Sequence, residues 1–183
     1  MTHAPARRRH ARFDTPVGEL TATLAWDESG DGRATALTGL YFENHTYPPG
    51  SDLMGAPIAA DTPGVLEQLR AELREYFDGR RTRFTVPLET HGDDFSERVW
   101  AILREIPHGT TTTYGTIAER LGSKGLAQRV GQAVGHNPIS ILIPCHRVVG
   151  ADGSLTGFAG GIDRKRFLLE LEEPDDAPVV RLF

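Results

Sequence analysis

The chain is organised around one short stretch, which reads Ile143-Pro144-Cys145-His146-Arg147-Val148-Val149. Cys145 is the only cysteine of the 183 residues, and the apolar residues before it predict that the chain enters an interior there. Pro144 blocks a helical continuation and predicts a bend that presents the thiol. A lone cysteine is most often an inert, buried small hydrophobe. The adjacent His146 favours a nucleophile instead, because it can take the thiol proton directly or through a water, and only the thiolate attacks.

Other motifs stand around this stretch in a fixed order. They are, in chain order, Val99-Trp100, Ile106-Pro107-His108-Gly109, Thr113-Tyr114-Gly115, Asn137-Pro138, Gly157-Phe158-Ala159-Gly160-Gly161 and the run from Arg164 to Glu172. With the Pro-Cys-His-Arg-Val segment, the set covers about residues 95 to 172 and resembles the O6-alkylguanine-DNA alkyltransferase family. The N-terminal half carries no comparable signature.

The resemblance implies DNA repair by a single-turnover protein-cysteine methyltransferase. The alkyl group of O6-alkylguanine, and also of O4-alkylthymine, is expected to pass irreversibly to Cys145. Because a base inside a duplex is out of reach, the nucleotide must first be flipped out of the stack. The thioether product has no good route back, so that one molecule is expected to act once.

The sequence predicts two domains between two charged tails. The expected divisions are a basic tail at 1–12, an α+β domain at 13–88, a linker at 89–94, a DNA-binding and alkyltransferase domain at 95–173 and an acidic tail at 174–183. The resemblance implies a ribonuclease-H-like fold for the first domain and a mostly α second domain with a helix-turn-helix.

The hydrophobic pattern predicts the elements of the N-terminal half. Residues 13 to 43 alternate apolar and polar around a turn-rich patch, which predicts a β-hairpin or meander. A helix is expected to start at Asp61-Thr62-Pro63 and to end at Asp78-Gly79, with apolar residues at spacings of three and four between them. The apolar residues at 84, 86 and 88 predict one more strand.

The C-terminal half reads as helices. Asp94 is expected to cap the first of them, with Glu97 three residues on. Two short helices, at about 115–121 and 126–134, are joined by Gly-Ser-Lys-Gly and predict a helix-turn-helix.

Charge and cysteine usage limit the partners. The formal net charge is −5, yet residues 96–171 hold nine Lys/Arg and six Asp/Glu, so this half can attract DNA phosphates locally. One cysteine excludes an internal disulfide, fits a reducing cytoplasm and argues against a cysteine-based zinc site. No run approaches the roughly 18 to 20 apolar residues of a membrane span. We expect a cytoplasmic monomer with no metal, no cofactor and no membrane contact.

The resemblance also implies roles for individual residues. His146 and Glu172 would form a relay that raises the thiolate fraction, by the logic of a catalytic triad. Tyr114 would push the target phosphate and donate toward the guanine ring, and Asn137 would tie the recognition helix to the active-site turn. The base pocket would be formed by a backbone carbonyl at Val148 and by a roof at Phe158, Ala159 and Gly160, where Phe158 replaces a tyrosine.

The second of the two short helices is rich in small residues, among them Ala127 and Gly131. Close packing against another helix explains them, and the residues alone favour that interpretation. The resemblance favours a smooth face that enters the DNA minor groove, where readout is degenerate. The family places an arginine in the gap left by the flipped base, but here that position is Gln128 and Arg129 follows it. Either Gln128 fills the gap as an uncharged wedge or Arg129 reaches round into it. Of the two arrangements, we expect Gln128 in the gap and Arg129 on a phosphate.

Two rival functions come from other classes. The alkyltransferase-like proteins bind the same lesions without repairing them, but they typically carry tryptophan at the cysteine position. A thiol hydrolase would also use a Cys-His pair, but the helix-turn-helix and the adjacency of Cys145 and His146 argue against it.

Overall fold

The computed structural model describes residues 7–28 and 32–174. The tails predicted at 1–12 and 174–183 therefore lie outside the described residues, except for residues 7–12 and Pro174. In the described parts a sheet precedes a set of helices, as the sequence predicts. No helix among these residues is both long enough and apolar enough to cross a bilayer.

A four-stranded sheet forms the N-terminal half, with strand order β3-β2-β1-β4. The strands are β1 Arg7–Thr15, β2 Gly18–Asp27, β3 Arg33–Phe42 and β4 Ala56–Pro57. The first three are antiparallel, which confirms the predicted meander, and β4 pairs parallel to β1. Gly18 has a φ of 97°, a conformation that favours glycine, and it closes the short turn between β1 and β2.

The strand β1 begins six residues earlier than predicted. Residues 7–12 were expected in a solvated basic tail, but they pair with β2 along their whole length. The side chains of Arg7 and Arg9 each reach Glu28, at 3.1 and 3.3 Å. The basic run is therefore compatible with a strand because its charges stay at the surface while Ala11, 2% exposed, faces the core.

One long helix packs on this sheet. A four-residue helix, α1 Ser51–Met54, precedes it, and α2 itself spans Val65–Phe77. It begins two residues after the predicted Pro63 and ends at Asp78 and Gly79 as expected. The residues at spacings of three and four are buried, as the pattern predicts: Val65, Leu66, Leu69, Leu73 and Tyr76.

The outer edge of β3 carries the C-terminal half. The amide of Leu40 donates to the carbonyl of Pro138 at 2.8 Å, and the amide of Ser140 donates back to Leu40 at 3.0 Å. The segment that leads to Cys145 is thus attached to the sheet by backbone hydrogen bonds. A paired edge also leaves no template for aggregation on that side.

The strand predicted from the apolar residues at 84–88 is not formed. Only Leu88 bridges to the sheet, opposite Leu37. The amide of Leu37 donates to the carbonyl of Pro87, and Pro87 has no N–H to extend the ladder. The alternation therefore belongs to an extended segment that borders the sheet at one point.

The helices of the C-terminal half are short. They are α3 Asp94–Arg104, α4 Tyr114–Arg120, α5 Ala127–Gly135 and α6 Ile162–Leu171, with 3-10 turns at Lys124–Leu126 and Cys145–Arg147. Two short strands, β5 Thr112–Thr113 and β6 Val148–Val149, pair in parallel.

The cap of α3 differs by one residue from the prediction. Asp93, rather than Asp94, accepts from the amide of Ser96 at 2.7 Å. The carboxylate of Glu97 turns back to Thr90 and to the amide of Gly92, at 2.7 Å each. The first amides of a helix have no partner within it, and Asp93 is the residue that accepts from one of them. Glu97 bonds the segment before the helix instead.

Candidate active site

Backbone hydrogen bonds and one buried amide hold the turn that carries Cys145. The Nδ2 of Asn137 donates to the carbonyl of Ile143 at 2.7 Å, and its Oδ1 accepts from the amide of Ile139 at 3.0 Å. Ile141 has a φ of 71°, a strained conformation for a β-branched residue. The loop between α5 and Cys145 is therefore held in one conformation by the side chain that the sequence singled out for this position.

Cys145 begins a 3-10 turn and is 5% exposed. Burial raises the pKa of its thiol, while a hydrogen bond with the Asn137 side chain and the nearby Lys165 ammonium act in the other direction. Burial prevails, because an isolated thiolate is poorly solvated in such a site. The resting cysteine is a neutral thiol that needs a base to become a nucleophile.

His146, the next residue in the chain, is fully buried and is the candidate base. The Nε2 atom lies 2.8 Å from Oε1 of Glu172. Burial lowers the pKa of His146, and the Glu172 carboxylate opposes this. In the neutral ring Nε2–H donates to the carboxylate, which leaves the lone pair on Nδ1, a buried atom that bonds none of the residues described in the structure. Nδ1 is thus the position that can accept the thiol proton.

Glu172 was placed in the site by the resemblance alone, since a glutamate at the end of a helix is ordinarily solvated. It is in fact 2% exposed and is surrounded by donors. Arg147 reaches Oε2 through Nε at 2.7 Å and Oε1 through Nη2 at 2.8 Å, and the Tyr76 hydroxyl reaches Oε1 at 2.7 Å. Burial raises the pKa of this carboxyl, but the hydrogen bonds from His146 and Arg147 outweigh burial and hold the pKa well below its usual range.

Three residues of the site were not identified from the sequence as functional. Arg147 belongs to the Pro-Cys-His-Arg-Val segment, which assigns it no role. Its Nη1 also donates to the carbonyl of Ile106 at 2.6 Å. Tyr76 falls on the apolar spacing of α2, which predicts burial and no function. Lys165 lies in a basic run that reads as a solvated helix face, yet it is 0% exposed. The pattern around each gives no signal, since burial depends on how α2 and α6 pack against the turn.

Lys165 links two backbone segments through its ammonium group. Its Nζ donates to the carbonyl of Val148 at 2.5 Å and to the carbonyl of Thr156 at 3.1 Å. Val148 is the residue whose carbonyl was expected to accept from a base. A carbonyl oxygen carries two lone pairs, so one remains after the lysine is bound.

Tyr114 lies at the start of α4 and is partly buried. Its hydroxyl donates to the carbonyl of Thr156 at 3.2 Å. Burial raises its pKa, and the proximity of Cys145 adds to the shift, so the phenol is a protonated donor at neutral pH.

The predicted roof is held by the N-terminal half. The ring of Phe158 meets that of Phe42 edge-on, with centroids 5.7 Å apart. The carbonyl of Ala159 accepts from the amide of Thr46 at 2.9 Å. At Gly160 a Cβ atom would lie 2.3 Å from the Phe42 ring. The roof therefore rests on β3 and the loop after it, and only glycine fits at position 160.

The candidate DNA-binding residues lie on α5 with different surroundings. Gln128 and Arg129 are exposed, and Ala127 and Gly131 are partly exposed. Gly131 lies beside the ring of Tyr114, whose atoms would be 3.8 Å from an added Cβ. Ala133 is buried, and its carbonyl accepts from Trp100 of α3 at 2.9 Å, which fits close helix packing. The partial exposure of Ala127 and Gly131 is compatible with a smooth face toward DNA.

Arg129 points toward α3. Its guanidinium lies 3.9 Å from the centroid of the Phe95 ring, a cation–π contact, and 4.0 Å from the carboxylate of Asp93. Gln128 is three residues before Gly131 and therefore shares the face of α5 that Tyr114 contacts. Arg129 is rotated about 100° from that face.

Two family models match nearly all of the described chain. The DNA binding domain of 6-O-methylguanine DNA methyltransferase matches residues 94–174, and the ribonuclease-like domain of the same family matches residues 9–90. The sheet and the helical half correspond to these two matches.

Similar proteins align with most of the length of this chain. The chain is 46% identical over 161 residues to the methylated-DNA–protein-cysteine methyltransferase of Mycobacterium tuberculosis H37Rv, covering 88% of this chain and 90% of that protein. It is 39% identical to the methyltransferase of that name from Haemophilus influenzae, covering 88% and 84%. A crystal structure of the Mycobacterium tuberculosis OGT in complex with DNA superposes with a TM-score of 0.75 at 42% identity, covering 90% of this chain and 92% of that one.

Proposed function

This chain belongs to the 6-O-methylguanine DNA methyltransferase family, and on that premise we propose that Cys145 is the alkyl acceptor and that His146 and Glu172 activate it. The chain repairs DNA by alkyl transfer, as its family does. The observation that carries the assignment to individual residues is the contact of a buried histidine with a buried carboxylate directly beside the only cysteine.

The proton path follows from the tautomer of His146. With Nε2–H bound to Glu172, Nδ1 takes the thiol proton, directly or through a water. The sulfur attacks the alkyl carbon, the carbon–oxygen bond breaks, and its electron pair stays on guanine O6. Tyr114 donates to the ring as that charge develops, which makes guanine a better leaving group. The proton removed from the thiol replaces, through His146 and water, the one given by Tyr114.

DNA is bound through the helical half. The related structure in complex with DNA supports contact with DNA in general. We place α5 in the minor groove, with Ala127 and Gly131 on its close-approach face, because their small side chains are only partly covered by protein. Asn137 then links that helix to the Cys145 turn, so that binding and chemistry share one rigid segment.

The flipped base enters between the Cys145 turn and the roof. Phe158 stacks on it, Ala159 and Gly160 line the roof, and the free lone pair of the Val148 carbonyl accepts from an exocyclic amino group. The same pocket is expected to take O4-alkylthymine. Gln128 fills the gap in the stack, because it shares the helix face that Tyr114 contacts, while Arg129, turned toward α3, holds a backbone phosphate.

We also propose that the chain acts as a monomer in a reducing cytoplasm. A single thiol that must stay reduced until it is used is suited to that compartment.

Intact-mass spectrometry tests the proposal directly. After incubation with duplex DNA that carries one O6-methylguanine, the protein should gain one methyl group per chain, located on Cys145, with no further turnover. Cys145→Ala should gain none and should still bind the lesion. Binding without any gain in mass by the unaltered chain would assign it to lesion recognition alone, and repeated turnover would contradict a stoichiometric acceptor.

A further inference from the structure

The hydroxyl of Tyr76 reaches the relay from the other half of the molecule. Tyr76 lies on α2, which packs on the sheet, and is 1% exposed. Its hydroxyl donates to Oε1 of Glu172 at 2.7 Å. The same oxygen accepts from Nε2 of His146 at 2.8 Å and from Nη2 of Arg147 at 2.8 Å. Three donors therefore share one carboxylate oxygen.

We propose that Tyr76 is a positioning residue that restrains the relay, because its hydroxyl competes with His146 for the charge on Glu172 and so keeps Cys145 as a neutral thiol at rest. The inference rests on the proposed roles of Cys145, His146 and Glu172. It assigns a function in the reaction to a side chain of the N-terminal half.

The reasoning is electrostatic. A carboxylate attracts an imidazolium in proportion to the negative charge left on the oxygen that faces it, and every further donor withdraws part of that charge. The Oε1 atom of Glu172 already accepts three hydrogen bonds, which is more than its two in-plane lone pairs provide for. Removal of the phenol donor would leave more charge for His146. A more stable imidazolium means a larger thiolate fraction at Cys145.

The other groups around His146 and Glu172 set the direction of the effect. Among the described residues, Glu172 favours the imidazolium, while Arg147 and Lys165 oppose it. Asn137 and Lys165 lower the pKa of the Cys145 thiol against the effect of burial, and the amide of Gly109 donates to Oε2 at 3.4 Å. On the far side of Tyr76 lies the ring of His108, edge-on with a centroid separation of 6.2 Å. Removal of the Tyr76 hydroxyl therefore takes away one hydrogen-bond donor and changes no formal charge in the cluster.

Alkylation of the thiol by iodoacetamide measures the thiolate fraction without DNA, and the single cysteine makes the label unambiguous. With Tyr76→Phe, we expect the pH profile of alkylation to move to lower pH and the rate at neutral pH to rise about three- to tenfold, which corresponds to roughly half to one pKa unit. A side chain that served packing alone would leave the profile in place or lower the reactivity.

Tyr41→Phe is the matched control, since Tyr41 is a second buried tyrosine of the N-terminal half and lies on β3, where its ring contacts His45. It should leave the profile unchanged. In a Glu172→Gln background, Tyr76→Phe should lose its effect, because the phenol acts through the carboxylate.

A second variant nearly preserves the volume of the side chain and should change the alkylation rate in the opposite direction. Replacement of Tyr76 by 3,5-difluorotyrosine makes the phenol a stronger donor, and the alkylation rate should then fall. An unchanged or slower rate with folded Tyr76→Phe, or a faster rate with the fluorinated residue, would overturn the inference. Failure of the unaltered protein to take a methyl group from DNA would instead overturn the proposed function, and that outcome is measured separately.

Discussion

Replacement of Glu172 by glutamine alters the centre of the buried cluster at a single atom. The carboxylate accepts from Tyr76, His146 and Arg147. Glutamine keeps one acceptor oxygen and puts an NH2 group where the other oxygen was. In either orientation of the amide, donors face donors, and the buried guanidinium of Arg147, 6% exposed as a residue, loses its anion.

The size of the effect follows from that stranded charge. Removal of one partner of a buried ion pair costs about 3–5 kcal/mol. At roughly 2–4 °C per kcal/mol for a chain of this length, the unfolding midpoint should fall by about 6–20 °C. Transfer to Cys145 should slow by about ten- to ten-thousand-fold, the range for losing acid–base assistance, because His146 loses the group that fixes its tautomer. His146→Ala should slow transfer within the same range, while binding of the lesion changes little.

Thermal unfolding and single-turnover transfer to a methylated duplex measure the two effects separately. Glu173→Gln is the matched control: it makes the same change at the next residue, which is exposed, and should stay within about 0.5 kcal/mol. Adding Arg147→Met to Glu172→Gln removes the stranded charge, so stability should partly return while transfer stays slow. If Glu172→Gln unfolds at the same temperature as Glu173→Gln, the account of the cluster is wrong.

Two further predictions concern acid and DNA. The pKa of Glu172 in the folded protein is held below its usual range. Its contribution to stability is therefore present above the pKa of the unfolded chain, about 4.3, and is lost as the pH falls through the lower pKa of the folded protein. Below about pH 4, the unfolding midpoint should fall less steeply with pH for Glu172→Gln than for the unaltered chain. Gln128→Ala should impair repair in duplex more than in single strands, whereas Arg129→Ala should weaken both and reduce the salt slope of binding by about one unit. A duplex-specific loss from Arg129→Ala, with Gln128→Ala indifferent, would exchange the two assignments.

The turn around Cys145 could be predicted from the sequence because the constraints on it are local. Pro144 forces a bend, and Asn137 bonds one backbone carbonyl and one backbone amide, both within six residues of itself. The helix α2 was predictable for a similar reason, since its apolar spacing records one buried face. Segments whose pairing partners are distant in the chain were harder to predict from the sequence. Residues 7–12 form a strand because β2 lies beside them. Residues 84–88 do not form one, since they pair with β3 at a single point.

The environment of Glu172 could not be derived from its position in the chain. Its pattern is that of a solvated residue at the end of α6, and the resemblance supplied its role without supplying its partners. Burial follows only when Tyr76 of α2 and Arg147 of the active-site turn close over it. A tyrosine at a core spacing was correctly predicted to be buried, but where its hydroxyl points depends on how the two halves pack.

Side-chain hydrogen bonds join the two halves of the molecule at two places. Arg164 of α6 joins them, since its Nε donates to the carbonyl of Val17 at 2.8 Å and its Nη1 to those of Glu43 and Gly160 at 3.0 Å each. These bonds hold the predicted roof at Gly160 against the sheet, and the bond between Tyr76 and Glu172 is a second link between the halves. A shift of the sheet relative to the helices would therefore move both residues 158–160 and Glu172, which the proposed mechanism needs in place together.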